Sequence, residues 1–481
     1  MPRRPARLAE PPVRLDRSAS APLTAQLSDA LREAMSTGTL RAGERLPSSR
    51  GLATQLGVSR TVVTDAYQQL YAEGWLDGRH GSGTFVTEHE PLPGPEAGPE
   101  TPRDPVVPRG TGAVRERPSR AEIRRSGTVD LRPGAPWVHD HDRAALRRAW
   151  RHAAEHPPSD DPDPRGLPRL RALLAEHLRR TRGVRVGPEN ILVTRGTGNG
   201  LDLVGAMISA TAGPGVRAGV EDPGYGRART ILAARGAEIV PCPVDRDGIR
   251  PEDLPDDLSL VYTTPAHQYP VGGRLPLPRR ERLLAWARRT GAVVVEDDYD
   301  AEFRYDVAPL PALYGLDPGR VVLLGTLSKT LDPDLGIGWI VAEPDVMHRI
   351  VEVRAGLSDR TSGPVQAATA LLLERGDLDR HLRRMRLEYA RRRALLVEHL
   401  GPRLSGDTAG LHVLLSLPET AVAPVIAAAA GEGVLVEDTS RTSHGAPRVH
   451  GLVIGYGSAG RTELRRACGV LARAVERHTG Q

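Results

Sequence analysis

Lys329 is the only lysine in this chain of 481 residues; every other member of its 65 lysine and arginine residues is arginine. An amine can lose its proton and attack a carbonyl, whereas guanidinium stays protonated. A lone lysine in an arginine background therefore points to a role that needs an amine, with Schiff-base formation on an aldehyde as the leading chemistry. It lies in Gly325-Thr326-Leu327-Ser328-Lys329-Thr330, directly after the apolar run Val321-Val322-Leu323-Leu324, so two hydroxyls flank it at a strand end. A second run, Glu296-Asp297-Asp298-Tyr299-Asp300, follows Ala292-Val293-Val294-Val295. Clustered acids could bind a metal, but no histidine or further acid stands at ligand spacing, and no metal is expected. A carboxylate that pairs with a protonated heteroaromatic nitrogen is the sharper expectation. Thirdly, Thr194-Arg195-Gly196-Thr197-Gly198-Asn199 follows a strand and opens a helix, where amides and a hydroxyl can cradle phosphate. Lysine, acid and helix start on neighbouring strand ends are what a pyridoxal phosphate (PLP) site needs.

The elements that must carry these residues alternate. Ile191–Thr194, 216–220, 259–263, 292–296, 321–325 and Gly338–Val341 read as short buried strands, and 167–180 and 278–289 as amphipathic helices. Short apolar strands alternating with helices predict an α/β unit with a mostly parallel sheet, whose ligands sit at strand C-terminal ends.

The N-terminal part has another texture. Leu23, Leu27, Leu31 and Met35 recur every four residues and predict a helix over 22–37. Ser48 can cap a short helix closed by Gly57, and Ser59 can cap another, with Val63, Ala66, Tyr67 and Leu70 inward and Gly74 at its end. Two short helices joined by a tight turn are a helix-turn-helix layout, and Trp75-Leu76 and Thr84-Phe85-Val86 read as a two-stranded wing. Ser59, Arg60, Thr61 and Thr64 on the second helix suit phosphate and base-edge contacts in a major groove. From 89 to 127, proline, glycine and alternating charges predict a flexible tether. Net charge is only +5, no apolar run is long enough to span a bilayer, the first residues lack the core of a secretory signal, and two cysteines make no disulfide framework. The cytoplasm is the expected location, with the nucleoid when DNA is bound.

On the stretches APLTAQL, AGERLPSSRGLATQLGVSRTVVTDAYQQL and AEGWLDGRHGSGTFV, residues 22–87 resemble the winged helix-turn-helix head of the GntR superfamily. That resemblance puts Arg50, Ser59, Arg60, Thr61, His80 and Gly81 at DNA. On DPRGLPRLRALLAEHLRRTRGV, ILVTRGTGNGLDL, EDPGYGRAR, TPAHQYPVGGRLPLPRR, VVVEDDYDAEFRYDVAPLPAL and GTLSKTLDPDLGIGW, residues 128–460 resemble fold-type I aminotransferases, above all the effector domain of MocR-type regulators. The resemblance implies three segments: a DNA-binding domain over 16–88, a linker over 89–127, and an aminotransferase-like effector and dimerisation domain over 128–481. It implies that Lys329 forms the Schiff base, that Asp297 pairs with the pyridine nitrogen and Tyr299 with the phenolic oxygen, and that Tyr225 stacks near the ring. Thr197, Gly198, Thr326 and Ser328 would surround the phosphate, Arg227 would meet an effector carboxylate, and His267 or Gln268 would replace an asparagine of the enzymes.

Three positions depart from the pattern. Gly336 stands where the family has a phosphate-binding arginine, Asp161 where it has a tyrosine reaching a partner subunit's phosphate, and Val453 where enzymes hold the substrate carboxylate with arginine. Each lost charge-assisted contact weakens binding by about ten- to a hundredfold. The expectation is a homodimeric DNA-binding regulator that senses PLP, with an amine or amino acid, rather than an efficient enzyme. The alternatives are a regulator whose large domain has lost PLP and an active aminotransferase.

Overall fold

The computed structural model describes residues 8–79, 83–87, 119–213, 215–306 and 311–480. The chain divides into two compact units, Met1–Arg115 and Glu116–Gln481.

In the first unit, α1 (Leu23–Ser36), α2 (Ser49–Leu56) and α3 (Arg60–Ala72) enclose a core that includes Leu27, Leu31, Met35, Leu52, Val63 and Leu70. Of the stripe read from the sequence, Leu27, Leu31 and Met35 form the buried face of α1, while Leu23 at its start is half-buried. Ser48 caps α2 by accepting from the Gly51 amide at 3.1 Å, and Ser59 caps α3 by accepting from the Val62 amide at 3.4 Å. Two strands follow, β1 (Leu76–Arg79) and β2 (Gly83–Val86), paired antiparallel with Leu76 opposite Val86. The expected tip contacts His80 and Gly81 lie outside the described residues.

The second unit begins with a correction. Residues 119–127, expected to belong to the flexible linker, contain α4 (Arg120–Arg125), closed by a reciprocal capping box between Ser119 and Glu122. Ile123 anchors it by burial. Arg120 ties it further to the chain that follows, donating to the Arg132 and Pro133 carbonyls and pairing with Asp130. A short strand, β3 (Val129–Asp130), leads on to α5 (Arg143–Ala154) and α6 (Pro168–Arg182).

An eight-stranded sheet then forms from β4 (Ile191–Thr194), β5 (Arg217–Asp222), β6 (Glu238–Asp245), β7 (Gly248–Ile249), β8 (Leu260–Thr263), β9 (Val293–Asp298), β10 (Val321–Thr326) and β11 (Gly338–Val341). Their spatial order is β4-β11-β10-β9-β8-β5-β6-β7. The run from β10 through β9, β8 and β5 to β6 is parallel, while β11 is antiparallel to both β4 and β10. Side chains alternate across it: Leu323 and Val294 face one apolar cluster with α5 and α6, and Leu324 and Val295 face the other. That second cluster is closed by α7 (Thr197–Ala212) and α8 (Gly226–Ala234). Both faces are covered, which is why these strands read as unbroken apolar runs. Two glycines are steric necessities. A Cβ on Gly325 would lie 2.3 Å from the Trp339 ring, and one on Gly338 only 2.6 Å from the Gly196 Cα. The second contact lets β11 pass directly against the turn that opens α7.

A smaller four-stranded sheet completes the unit, in the order Leu404–Ser405, His412–Ser416, Gly451–Gly455 and Glu437–Asp438. Val434–Leu435 pairs with β3, tying the start of the unit to this lobe. Among the described residues, no helix is long and apolar enough to cross a membrane.

Candidate functional site

The C-terminal ends of β8, β9 and β10 and the start of α7 open into a cavity of roughly 700 Å³. Tyr262, Asp297, Thr326 and Thr197 come from those elements; Ser328 and Lys329 follow β10, and Tyr225 and Arg227 stand at the start of α8. The fold therefore gathers Lys329, Asp297, Tyr299, Tyr225, Thr197, Gly198, Thr326, Ser328 and Arg227 around one space.

The Lys329 amine donates to the Gly134 carbonyl at 2.5 Å. Burial, and then the Arg227 guanidinium, pulls its pKa from 10.5 down to about 8, against the attraction of Asp300 and Asp297. A useful fraction of neutral amine is then present near neutral pH. Asp297 is buried, and burial pushes its carboxyl up to about 7, opposed first by the hydrogen bond from Tyr262 and then by the nearby Thr197 hydroxyl. Oδ2 accepts from the Tyr262 hydroxyl at 2.5 Å, while Oδ1 is buried without a hydrogen-bond partner. A buried carboxylate oxygen left unpaired costs free energy that a bound N–H donor would recover. Beneath it, Arg182 forks onto Asp298, Nε to Oδ2 at 2.5 Å and Nη2 to Oδ1 at 3.0 Å, so that acid is spent on structure.

The helix start lies across the cavity. Gly196, at φ 113°, turns the chain into α7, and its Cα faces Thr326 Oγ1 and Ser328 Oγ. The Thr326 hydroxyl donates to the Ile337 carbonyl at 3.2 Å and accepts from the Ser328 amide at 3.1 Å. Hydroxyls beside a helix N-terminus fit an anionic group. Gly336 stands at φ 54° after a short 3-10 turn, with open space where its Cβ would be. Any side chain there would need the left-handed region. Of the arginines that might compensate, Arg195 lines the cavity but pairs with Asp359. Arg354 is buried on the Val193 and Pro164 carbonyls, and Arg441 and Arg448 are exposed outside the lining. Asp161 is exposed, and Val453 is buried.

Two of the expected residues have partners within the protein. Tyr299 lines the cavity, yet its hydroxyl donates to the His267 carbonyl at 2.9 Å. His267 lies behind the wall rather than on it, its Nδ1 3.1 Å from Asp300 Oδ2 and its Nε2 buried without a partner. Gln268 spends its amide on Glu221 and the Pro223 carbonyl. Sequence spacing also gave no metal-ligating set, whereas the fold brings His412 beside His267 and Asp300, with ligand atoms within 4.8 Å of one another. The two rings are 4.5 Å apart, and burial, then His267, holds His412 well below 6.5, so it stays neutral. Tyr262 and His412 carried no sequence signal; a sheet register brings the first to the cavity and the folding of the small sheet against it brings the second.

In the N-terminal unit, Arg50, Ser59, Arg60 and Thr61 are exposed together at the starts of α2 and α3, and Arg60 Nε donates to Ser49 Oγ at 3.3 Å. Thr64 is half-buried, and its hydroxyl donates back to the Arg60 carbonyl at 2.9 Å.

Comparison with known proteins agrees with this division. Residues 23–86 match the family of bacterial regulatory proteins called gntR, and residues 138–443 match aminotransferase class I and II. The chain is 37% identical to the pyridoxine biosynthesis transcriptional regulator PdxR of Corynebacterium glutamicum, over 97% of this chain and 99% of that one. It is 36% identical to the probable rhizopine catabolism regulatory protein MocR of Rhizobium meliloti, over 96% and 95%. An archaeal alanine:glyoxylate aminotransferase superposes with a TM-score of 0.68 at 26% identity, covering 74% of this chain and 93% of the enzyme.

Proposed function

The chain belongs to the MocR-type regulators of the GntR family, and from that premise we propose that its large domain senses PLP through Lys329, with an amine or amino acid as a further ligand. It is a DNA-binding transcription regulator with an aminotransferase-like domain. The observation that carries the PLP reading is the unpartnered, buried Oδ1 of Asp297 in the cavity that also holds the chain's only lysine. The residues present fit the cofactor. When bound, PLP supplies an aldehyde that amines reach reversibly and a pyridine ring that accepts electrons. Lys329 provides an amine that is partly neutral near pH 8, Asp297 an acceptor for a ring N–H, and Tyr225 an aromatic wall. Thr197, Gly198, Thr326 and Ser328 would hold the phosphate.

The same reading has the chain act as a cytoplasmic homodimer, because fold-type I sites form between subunits and paired heads match half-sites about 34 Å apart or a multiple of it. Val453, apolar and buried where enzymes anchor a carboxylate, favours sensing over turnover.

Full-length protein mixed with PLP is expected to gain visible absorbance that Lys329→Ala abolishes. No absorbance with either protein overturns the reading and leaves dimerisation, or another ligand, as the work of the large domain.

A further inference from the structure

Three titratable side chains meet where the small sheet folds against the ends of β8 and β9. His267 lies four residues past β8, Asp300 lies two residues past β9, and His412 opens the small-sheet strand His412–Ser416. None of the three is more than 3% exposed. They come from separate parts of the chain, yet each offers one ligand atom within 4.8 Å of the other two. Among the described residues, no other three histidine, cysteine or acidic side chains come together in this way.

A neutral imidazole carries one N–H and one lone pair. His267 Nδ1 lies 3.1 Å from Asp300 Oδ2 and takes the proton, which leaves the Nε2 lone pair buried without a partner. His412 Nε2 is likewise buried without a partner, while the Pro270 carbonyl beside that ring is the acceptor available to its N–H. Two buried nitrogen lone pairs thus meet no donor, at a cost that a bound cation would recover. A histidine oriented by a carboxylate or a backbone carbonyl is also how metal-binding imidazoles are held. The backbone leaves room for the cluster. A Cβ on Gly410 would lie 1.9 Å from His267 Cε1 and 2.7 Å from Asp300 Oδ2, and the Leu411 amide donates to the same Oδ2 at 3.2 Å.

We propose that His267, His412 and Asp300 bind one divalent transition-metal cation of the zinc class, through a nitrogen of each ring and a carboxylate oxygen. Two imidazoles and one carboxylate match the three-ligand zinc sites that keep a fourth position open. Bonds of about 2.0–2.1 Å set tetrahedral ligand atoms about 3.4 Å apart, so the widest separation here closes by about 1.4 Å at most. Asp300 and His412 line the large cavity, so the fourth position faces it and takes water or the lone pair of a cavity ligand. The cation ties the small sheet to the ends of β8 and β9 and places positive charge in the space that holds Lys329. The site is complete without PLP, and its test needs none added.

Full-length protein stripped of metal with EDTA is titrated with Co2+, a coloured stand-in for zinc, and followed by d–d absorbance and thermal unfolding. One Co2+ per chain is expected to bind, with the strong bands of four-coordination, which Zn2+ bleaches. Either ion should raise the melting temperature. His412→Gln, His267→Gln and Asp300→Asn should each weaken binding by more than the roughly ten- to hundredfold typical of losing an outer partner of a metal ligand. His348, exposed 3.2 Å from Glu352 one helical turn on, is the natural place for a surface ion, and His348→Gln should change nothing. Sub-stoichiometric binding, the weak bands of a hydrated ion, unchanged affinity in any folded one of the three variants, or loss of binding in His348→Gln overturns the proposal. A variant that fails to fold leaves the decision to the other two and to the wild-type bands.

Discussion

The Tyr262 hydroxyl donates to Asp297 Oδ2 at 2.5 Å, and both residues are buried, yet the other oxygen of that carboxylate has no hydrogen-bond partner. Tyr262 ends up there because β8 and β9 run parallel with Tyr262 beside Val295, two residues before Asp297. The tyrosine fixes the carboxylate and leaves one oxygen to the cavity. An acid in this state is poised to take a hydrogen bond from a ligand, and its cost to the empty protein is measurable.

That cost appears as a pH dependence of stability. The folded pKa of Asp297 is about 7, above its ordinary value of 3.8. Between those values the folded state binds more protons than the unfolded state, so this carboxyl lowers stability as pH rises through that window. Asp297→Asn removes the slope. The PLP-free variant should melt about 2–4 °C above wild type once pH exceeds 7, with the difference shrinking as pH falls toward 4. Thermal unfolding across that range checks it, and a difference independent of pH would sink the assignment.

Tyr262→Phe acts on the same carboxylate from the other side. Losing the phenol removes a bond that lowers the Asp297 pKa and leaves both oxygens without that donor. PLP affinity, read by titrating visible absorbance, should fall roughly tenfold, in line with one buried hydrogen bond to a charged group. Unchanged affinity would mean that Tyr262 only packs.

Much of this architecture was legible because its physics is local. The stripe Leu23-Leu27-Leu31-Met35, the caps Ser48 and Ser59, and the doubly buried strands beside Lys329 and Asp297 each follow from spacing within a few residues. Strand β6 gave no such signal, because Glu238–Asp245 lies toward the sheet edge with mostly half-exposed residues. His412 and Tyr262 were invisible as site residues for a different reason: the first reaches the cavity through the folding of the small sheet, the second through a sheet register. Nothing in the sequence near either residue encodes the neighbour it meets.

At the DNA-binding unit, Arg60 is exposed at the first turn of α3, held lightly by Ser49 Oγ. Arg60→Ala should weaken binding to a duplex selected from a random pool by about tenfold and reduce the slope of log affinity against log salt by about 1. Affinity and slope both equal to wild type would remove Arg60 from the interface.

Lys329 makes the last prediction. An amine attacks a carbonyl only when neutral, so the rate of PLP attachment should rise with pH and level off above about 8, well below the ordinary lysine value of 10.5. Burial is the first cause of that shift and the Arg227 charge the second, whereas Asp300 and Asp297 oppose it. Arg227→Gln should therefore move the midpoint upward, because the ammonium form loses a repelling neighbour. Asp300→Asn should move it downward, because the ammonium loses an attracting one. Stopped-flow absorbance across the pH range separates these effects. A wild-type midpoint near 10, or shifts of the same sign in the two variants, would show that the cavity does not tune this amine electrostatically.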